Sequence, residues 1–209
     1  MSIDCISDLH GYYPKLEGGD LLIVAGDLTA TDSYEEYIEF LKWFDESNYI
    51  KKIFIAGNHD NNILPITWMN GYLEDSGTEF EGLKIYGSPW TRRFKGMNPK
   101  CMAFTVDTEE ELMDKFELIP HDTDILITHS PALGILDKRS GGHSVGSSAL
   151  FAWLKYVERP RLHVFGHIHE SHGRQEVFPS YENKMMISVN ASHVDSVFDP
   201  INKPIRIEL

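Results

Sequence analysis

Short apolar runs at residues 3–7, 21–25, 53–56, 125–128 and 162–165 punctuate the chain, each bounded by polar or glycine-containing segments. Runs of this length between turn residues read as buried strands. Between them the apolar spacing changes to that of a helix. Asp32 with Glu35, or Ser33 with Glu36, makes a capping-box pattern ahead of Tyr34, Tyr37, Ile38, Leu41 and Phe44, which are spaced as one helix face. Thr108 with Glu111 opens a second helix carrying Leu112, Met113 and Phe116. A third is predicted over residues 144–158, from Ser144 to Glu158, with Ala149, Leu150, Trp153, Leu154 and Val157 inward and Arg159-Pro160 ending it. Residues 186–190 and 204–208 read as the last strands. Strands alternating with helices point to an α/β architecture with the helices outside.

Length and charge narrow this picture. A chain of 209 residues fits one domain, 1–209, with a substantial core, and it shows no linker, repeat or low-complexity run. Nothing approaches the ~18 apolar residues of a membrane span. Asp4 and Asp8 interrupt the first apolar run, so no signal peptide is expected. Cys5 and Cys101 alone do not make a disulfide framework, and a cytoplasmic setting is the default expectation. A net charge of -13 argues against a nucleic acid held by its backbone. Arg92, Arg93, Lys95 and Lys100 are the local exception; this loop reads as a lining of a substrate entrance or as a solvated loop. Trp90 beside it reads as a loop anchor ahead of a base-stacking platform.

The candidate chemistry follows the apolar runs. Asp8-Leu9-His10, Gly26-Asp27, Gly57-Asn58-His59-Asp60, Thr128-His129 and Gly166-His167-Ile168-His169 each sit at the C-terminal end of a predicted strand. Ligands in open α/β sheets bind at that edge, so the five distant segments can converge. In extended chain, residues i and i+2 point to one side, which predicts that Asp8 aims with His10 and His167 with His169. Read singly, each histidine is a hydrogen-bonded residue and each of Gly26, Gly57 and Gly166 a turn residue. Together the clusters describe a metal-dependent phosphoesterase. Cleaving a phosphate ester needs an activated nucleophile, charge to balance the phosphoryl oxygens, and an acid for the leaving oxygen. A metal pair roughly 3.5–4 Å apart supplies the first two, and a side chain the third.

The order DLH, GDL, GNHD, TH, GHIH resembles the calcineurin-like metallophosphoesterase superfamily over most of the chain. Tyr86-Gly87-Ser88-Pro89-Trp90-Thr91, Leu118-Ile119-Pro120 and the stretches 123–129 and 161–166 resemble its small metallophosphoesterase-domain (MPPED-like) branch, which is linked to class III cyclic nucleotide phosphodiesterases. The resemblance implies a four-layer α/β/β/α sandwich of two mixed sheets flanked by helices. It implies that Asp8, His10, Asp27 and His169 hold one divalent ion and Asp27, Asn58, His129 and His167 the other, with Asp27 bridging. His59 matches the position used as general acid or substrate-orienting group. Some animal members of the branch carry glycine in place of the second-last motif histidine; here His167 is present. Imidazole, carboxylate and amide ligation without thiolate suits Mn, Fe, Co, Ni or Zn, with Mn the leading expectation.

Superfamily protein phosphatases resemble one another in GDxVDRG, whereas this chain has Gly26-Asp27-Leu28-Thr29-Ala30-Thr31-Asp32, which disfavours that class. Superfamily nucleases carry capping domains and basic channels, for which an acidic chain with 40 residues after His169 leaves little room. The expected substrate is a small phosphodiester, a 2′,3′- or 3′,5′-cyclic nucleotide or a related ester, bound by a monomer or homodimer. The expected mechanism is in-line attack by a metal-bridging hydroxide near Asp27, with Asn58 steadying the phosphoryl oxygens and His59 serving the leaving group. A phosphomonoesterase and a weakly catalytic nucleotide-binding module remain the alternatives. Asp60 reads as a partner orienting His59 or as a loop cap. The amides of Gly141-Gly142-His143 read as an anion contact or a surface turn, and His172 and His193 as rim residues.

Overall fold

A computed structural model describes residues 1–94, 96–156, 160–177 and 185–209. In chain order the elements begin with β1 (Ser2–Ile6), β2 (Gly19–Ala25), α1 (Tyr34–Glu46), β3 (Tyr49–Ile55), β4 (Ser76–Phe80) and β5 (Leu83–Ser88). Short β6 (Thr91–Arg92) and β7 (Thr105–Val106) precede α2 (Glu109–Phe116), β8 (Ile125–Thr128) and α3 (Ser148–Tyr156). The chain closes with β9 (Leu162–Phe165), β10 (Gly173–Val177), β11 (Met186–Asn190) and β12 (Ile205–Glu208).

Among the described residues the strands form two large mixed sheets, ordered β12-β1-β2-β3 and β10-β11-β9-β8-β5-β4. Within the first, β1, β2 and β3 are parallel and β12 runs against β1. Within the second, β5, β8, β9 and β11 are parallel, with β4 and β10 antiparallel at the edges. The central strands read as mostly apolar runs, interrupted by Asp4 in β1 and His163 in β9, because both of their faces are covered. Leu21, Ile23 and Ala25 of β2 face Ile125, Ile127, Leu162 and Val164 of the other sheet in a shared core. The alternate residues Leu22 and Val24 turn outward to Tyr37, Phe40 and Phe44 of α1. On the far side Leu126 and Phe165 pack against Leu112 and Phe116 of α2 and Leu150, Trp153 and Leu154 of α3. The layers are therefore helix, sheet, sheet, helix, as the family resemblance implies.

Both predicted capping boxes form, Ser33 with Glu36 and Thr108 with Glu111. The buried face of α1 is shifted from the expected one: Tyr34 and Ile38 are exposed, and Phe40 takes the inward position between Tyr37 and Phe44. The third helix starts at Ser148, not Ser144. Ser144 is bridged to Lys138, and the Ser147 hydroxyl accepts the Leu150 amide at 3.1 Å, capping the helix there. Val157, Glu158 and Arg159, expected at its end, lie outside the described residues.

One buried histidine belongs to the frame. His163 in β9 has Nε2 2.8 Å from Thr128 Oγ1, whose own hydroxyl donates to the Ser130 carbonyl, and its Nδ1 has no hydrogen-bond partner among the described residues. Burial pushes its pKa from 6.5 down to about 3. Below 6.5 the unfolded chain takes up a proton that the folded chain refuses, so this contribution to stability is whole above 6.5 and lost as pH falls toward 3. The slope is about 1.4 kcal/mol for each pH unit within that window. Urea unfolding at about pH 7.5 and about pH 5.5 checks it: His163→Gln should narrow the difference between the two.

Candidate metal centre

Every predicted ligand lies one to four residues beyond the end of a parallel strand: β1 for Asp8 and His10, β2 for Asp27, β3 for Asn58, β8 for His129, and β9 for His167 and His169. The two sheets meet at this edge. Ser7 pairs with Ser192, the Ser7 amide donates to the Ala191 carbonyl, and the Asp8 amide donates to that of Gly26. The convergence does not come from extended i and i+2 geometry. Asp8 (φ 50°), His10 (φ 44°), Asp27 (φ 53°) and His167 (φ 66°) all adopt left-handed backbone. Such conformations in non-glycine residues cost of order 1–3 kcal/mol each and persist where the surroundings over-determine them, typically at functional sites.

The motif glycines are there for close approach. A Cβ at Gly166 would run into Asp8 Oδ2 and Ser7 Oγ, and one at Gly57 into Asp27 Oδ1. Gly26 has φ 98°, and its Cβ would come 2.6 Å from both the Ala56 carbonyl oxygen and His129 Nδ1. We expect Gly166→Ala to displace the Asp8 carboxylate, to lower stability by about 1–3 kcal/mol, and to reduce bound metal. Thermal unfolding with and without added divalent ion, alongside metal analysis, reads both effects.

The polar atoms present what a cation needs. His129 Nδ1 donates to the Ala25 carbonyl at 3.0 Å, which turns Nε2 toward Asn58 Oδ1 at 3.0 Å and Asp27 Oδ2 at 3.4 Å. His169 repeats the device: Nδ1 donates to the Asp195 carbonyl at 3.1 Å and Nε2 faces Asp8 Oδ1 at 3.1 Å. Outer hydrogen bonds of this kind orient metal-binding imidazoles. Among the described residues, His10 Nε2 is buried without a hydrogen-bond partner, 3.7 Å from Asp27 Oδ2. The Asn58 amide nitrogen donates to the Cys101 carbonyl at 3.2 Å, which leaves its oxygen turned inward. Without a metal these donors perturb one another. Burial raises Asp8 and Asp27, but the facing imidazoles, His169 and His129 respectively, hold both carboxyls below the usual range. Burial lowers His129, yet Asp27 holds it up at about 9. Burial takes His10 down to about 4 and His167 to about 3.

Among the described residues, three clusters of side chains could each hold a metal ion: Asp8 with His10 and His169, His10 with Asp27 and His59, and Asp8 with Asp27 and His129. In each, the ligand atoms lie within 4.8 Å of one another. The first falls within one of the expected ligand sets. His167 is in none of these three; its ring packs against His129 with centroids 5.0 Å apart, and its amide donates to Asp8. His59 is partly exposed, with Nε2 3.9 Å from Asp27 Oδ2, Nδ1 3.5 Å from Cys101 Sγ, and its amide donating to Asp27 Oδ1. Asp60 makes no hydrogen bond or ion pair with the His59 ring among the described residues. It accepts from the Gly57 and Leu28 amides and so caps the loop, while burial and then Asp27 push its carboxyl well above the usual range.

A cleft of about 720 Å³ opens over the cluster, with Asp27, Asn58, His59, His167 and His169 at its floor. Arg92 from the basic loop lines it and pairs with Glu109, whereas Arg93 pairs with Asp107 and Lys95 lies outside the described residues. Trp90 acts as an anchor: Nε1 donates to Asp75 and Lys115 covers the ring. Gly141, Gly142 and His143 are exposed in a turn whose carbonyl at His143 accepts from the Arg139 amide. His193 turns to the Asn202 carbonyl, and neither it nor His172 lines the cleft. Residues that sequence reasoning missed are Phe198, whose ring lies 4.9 Å from His10 and 5.2 Å from His169, and Ser192, whose hydroxyl donates to Asp8. No periodicity or motif marks either one.

Comparison with known proteins agrees with this geometry. Residues 1–171 match the family model described as Calcineurin-like phosphoesterase. The human metallophosphoesterase domain-containing protein 1 is 34% identical over 98% of this chain and 70% of its own length, and its mouse counterpart gives the same values. Among solved structures, TT1561 of Thermus thermophilus superposes with a TM-score of 0.57 at 15% identity, covering 92% of this chain and 90% of that one. Purple acid phosphatase PPD1 from yellow lupin gives a TM-score of 0.53 at 12% identity over 97% of this chain and 46% of its own. These two show likeness of fold. The chain belongs to the calcineurin-like phosphoesterase family and is a metal-dependent phosphoric ester hydrolase.

Proposed function

We propose that this hydrolase is a dinuclear phosphodiesterase acting on small phosphodiesters, with 2′,3′- or 3′,5′-cyclic nucleotides the leading class and Mn²⁺ the leading metal. The observation that carries the reading is the inward set of His129 Nε2, Asn58 Oδ1 and Asp27 Oδ2 beside the unpartnered His10 Nε2. Asp8, His10, Asp27 and His169 would hold one ion and Asp27, Asn58, His129 and His167 the other. When bound, such a pair supplies an acidified water and positive charge against the phosphoryl oxygens.

The chain's own groups do the rest. His59 Nδ1 lies 3.5 Å from Cys101 Sγ and Nε2 faces Asp27 Oδ2 at 3.9 Å, so the protonated ring would carry a proton on Nε2 at the cleft floor. That proton is placed for a leaving oxygen, and an alkoxide such as a ribose hydroxyl leaves poorly without it. The remaining charges favour a singly charged ester: Arg92 and Arg139 line the cleft together with Glu109 and Glu170.

Metal-stripped protein reloaded with Mn²⁺ should cleave bis-p-nitrophenyl phosphate and cyclic AMP in preference to p-nitrophenyl phosphate. Preference for the monoester would replace this reading with a phosphomonoesterase. No hydrolysis of any ester would leave a binding module.

A further inference from the structure

We propose that Phe198 is a specificity-determining residue whose ring forms one wall of the cleft and stacks on a planar, nucleobase-sized group esterified to the phosphate. This rests on the phosphodiesterase reading above and deepens it. Phe198 is 46% exposed although it lies among the site imidazoles, with ring centroids 4.9 Å from His10, 5.2 Å from His169 and 6.4 Å from His59. Part of the ring is spent on those contacts, and the rest is open to the cleft it lines.

Its placement is built by the loop around it. Phe198 has φ 66°, left-handed backbone that a bulky residue rarely adopts. Asp195 enforces it: the side chain accepts the Val197 and Asp199 amides at 2.9 and 3.0 Å, and the carbonyl accepts the Phe198 amide at 3.0 Å. The same carbonyl accepts His169 Nδ1, so the ring is fixed relative to the metal cluster. Phe94, Met97, Leu133 and Val145 line the same cleft, and Phe94, Leu133 and Val145 are exposed apolar side chains. An apolar rim around a polar floor suits a ligand with one phosphate at the metals and a flat ring above. Further phosphates would meet apolar side chains there, and of the two lining arginines Arg92 is already paired with Glu109.

The test is calorimetric titration of the Mn²⁺-loaded protein with adenosine 5′-monophosphate and with inorganic phosphate, on wild type, F198A and F198W, with metal content measured for each. We expect wild type to bind the nucleotide more tightly than phosphate, F198A to weaken the nucleotide by about tenfold, and F198W to restore most of the loss. Phosphate affinity and metal content should not change. Equal weakening of both ligands, or loss of metal in F198A, would overturn the proposal and make Phe198 a packing support for His10 and His169. Nucleotide binding unaffected by F198A would also overturn it. Failure of phosphate itself to bind the loaded wild type would instead overturn the phosphodiesterase reading, and this proposal with it.

Discussion

Asp27→Ala is expected to abolish both metal retention and turnover, lowering kcat/KM by at least roughly a thousandfold, equivalent to about 4 kcal/mol of transition-state stabilisation. Among the described residues no other carboxylate is placed so centrally. Its Oδ2 lies 3.4 Å from His129, 3.7 Å from His10 and 3.9 Å from His59, while Oδ1 accepts the His59 amide at 2.9 Å. Removing it takes from each proposed ion its shared ligand and leaves three imidazoles facing one another. The fold itself should survive. Asp27 is buried near Asp8 and Asp60, and repulsion by its charge works to raise both, helping to push Asp60 up and opposing the imidazoles that hold Asp8 down. Loss of that repulsion offsets the loss of its hydrogen bond, so the melting temperature of the metal-free variant should stay within roughly 4 °C of wild type. The rise in melting temperature that divalent ion gives wild type by mass action should vanish. Metal analysis after gel filtration, paired with melting curves, separates this outcome from simple unfolding. A variant that retains metal and turns over at the wild-type rate contradicts the ligand assignment.

Replacing His59 should give the second-largest effect, with a different signature. His59→Ala leaves Asp27, Asn58, His129 and His10 in place, so metal content should match wild type. Turnover of a cyclic nucleotide should fall by about 10²–10³-fold, the range expected for loss of a positioned acid. Against bis-p-nitrophenyl phosphate the loss should be much smaller, because nitrophenolate departs without a proton. The ratio of the two losses is the measurement that matters. Equal losses on both substrates would show that His59 orients the phosphoryl group and does not serve the leaving oxygen.

Much of the frame behind these two residues is legible in the sequence. The ligand-bearing strands β1, β2, β3, β8 and β9 are buried toward their C-terminal ends, so their sequences carry short, mostly apolar runs. The two edge strands of the second sheet are not legible: β4 (Ser76–Phe80) and β10 (Gly173–Val177) are mostly exposed and polar, and only their neighbours make them strands. The start of α3 escapes sequence reading because residues 144–147 are held by tertiary pairs to Lys138, Ala132 and Pro131, which no local propensity reports. The candidate ligands stand out as a converging group, but extended-chain geometry is the wrong reason for it. Asp8, His10, Asp27 and His167 reach the site through left-handed backbone, and left-handed aspartate or histidine has no signature in sequence. Gly57 and Gly166 signal it indirectly, since each makes room for a carboxylate that a side chain would displace. Phe198 is invisible to such reading, because its position is set by the Asp195 loop and by ring contacts with His10 from the opposite end of the chain.

The decisive measurement is a titration of chelator-stripped protein with Mn²⁺, following bound ion by equilibrium dialysis and hydrolysis of a phosphodiester in the same samples. Binding should approach two ions per chain, with activity absent in the stripped protein and rising as the second ion binds. Full diester hydrolysis by the stripped protein, or maximal activity at a single bound ion, would contradict a dinuclear centre built on Asp27.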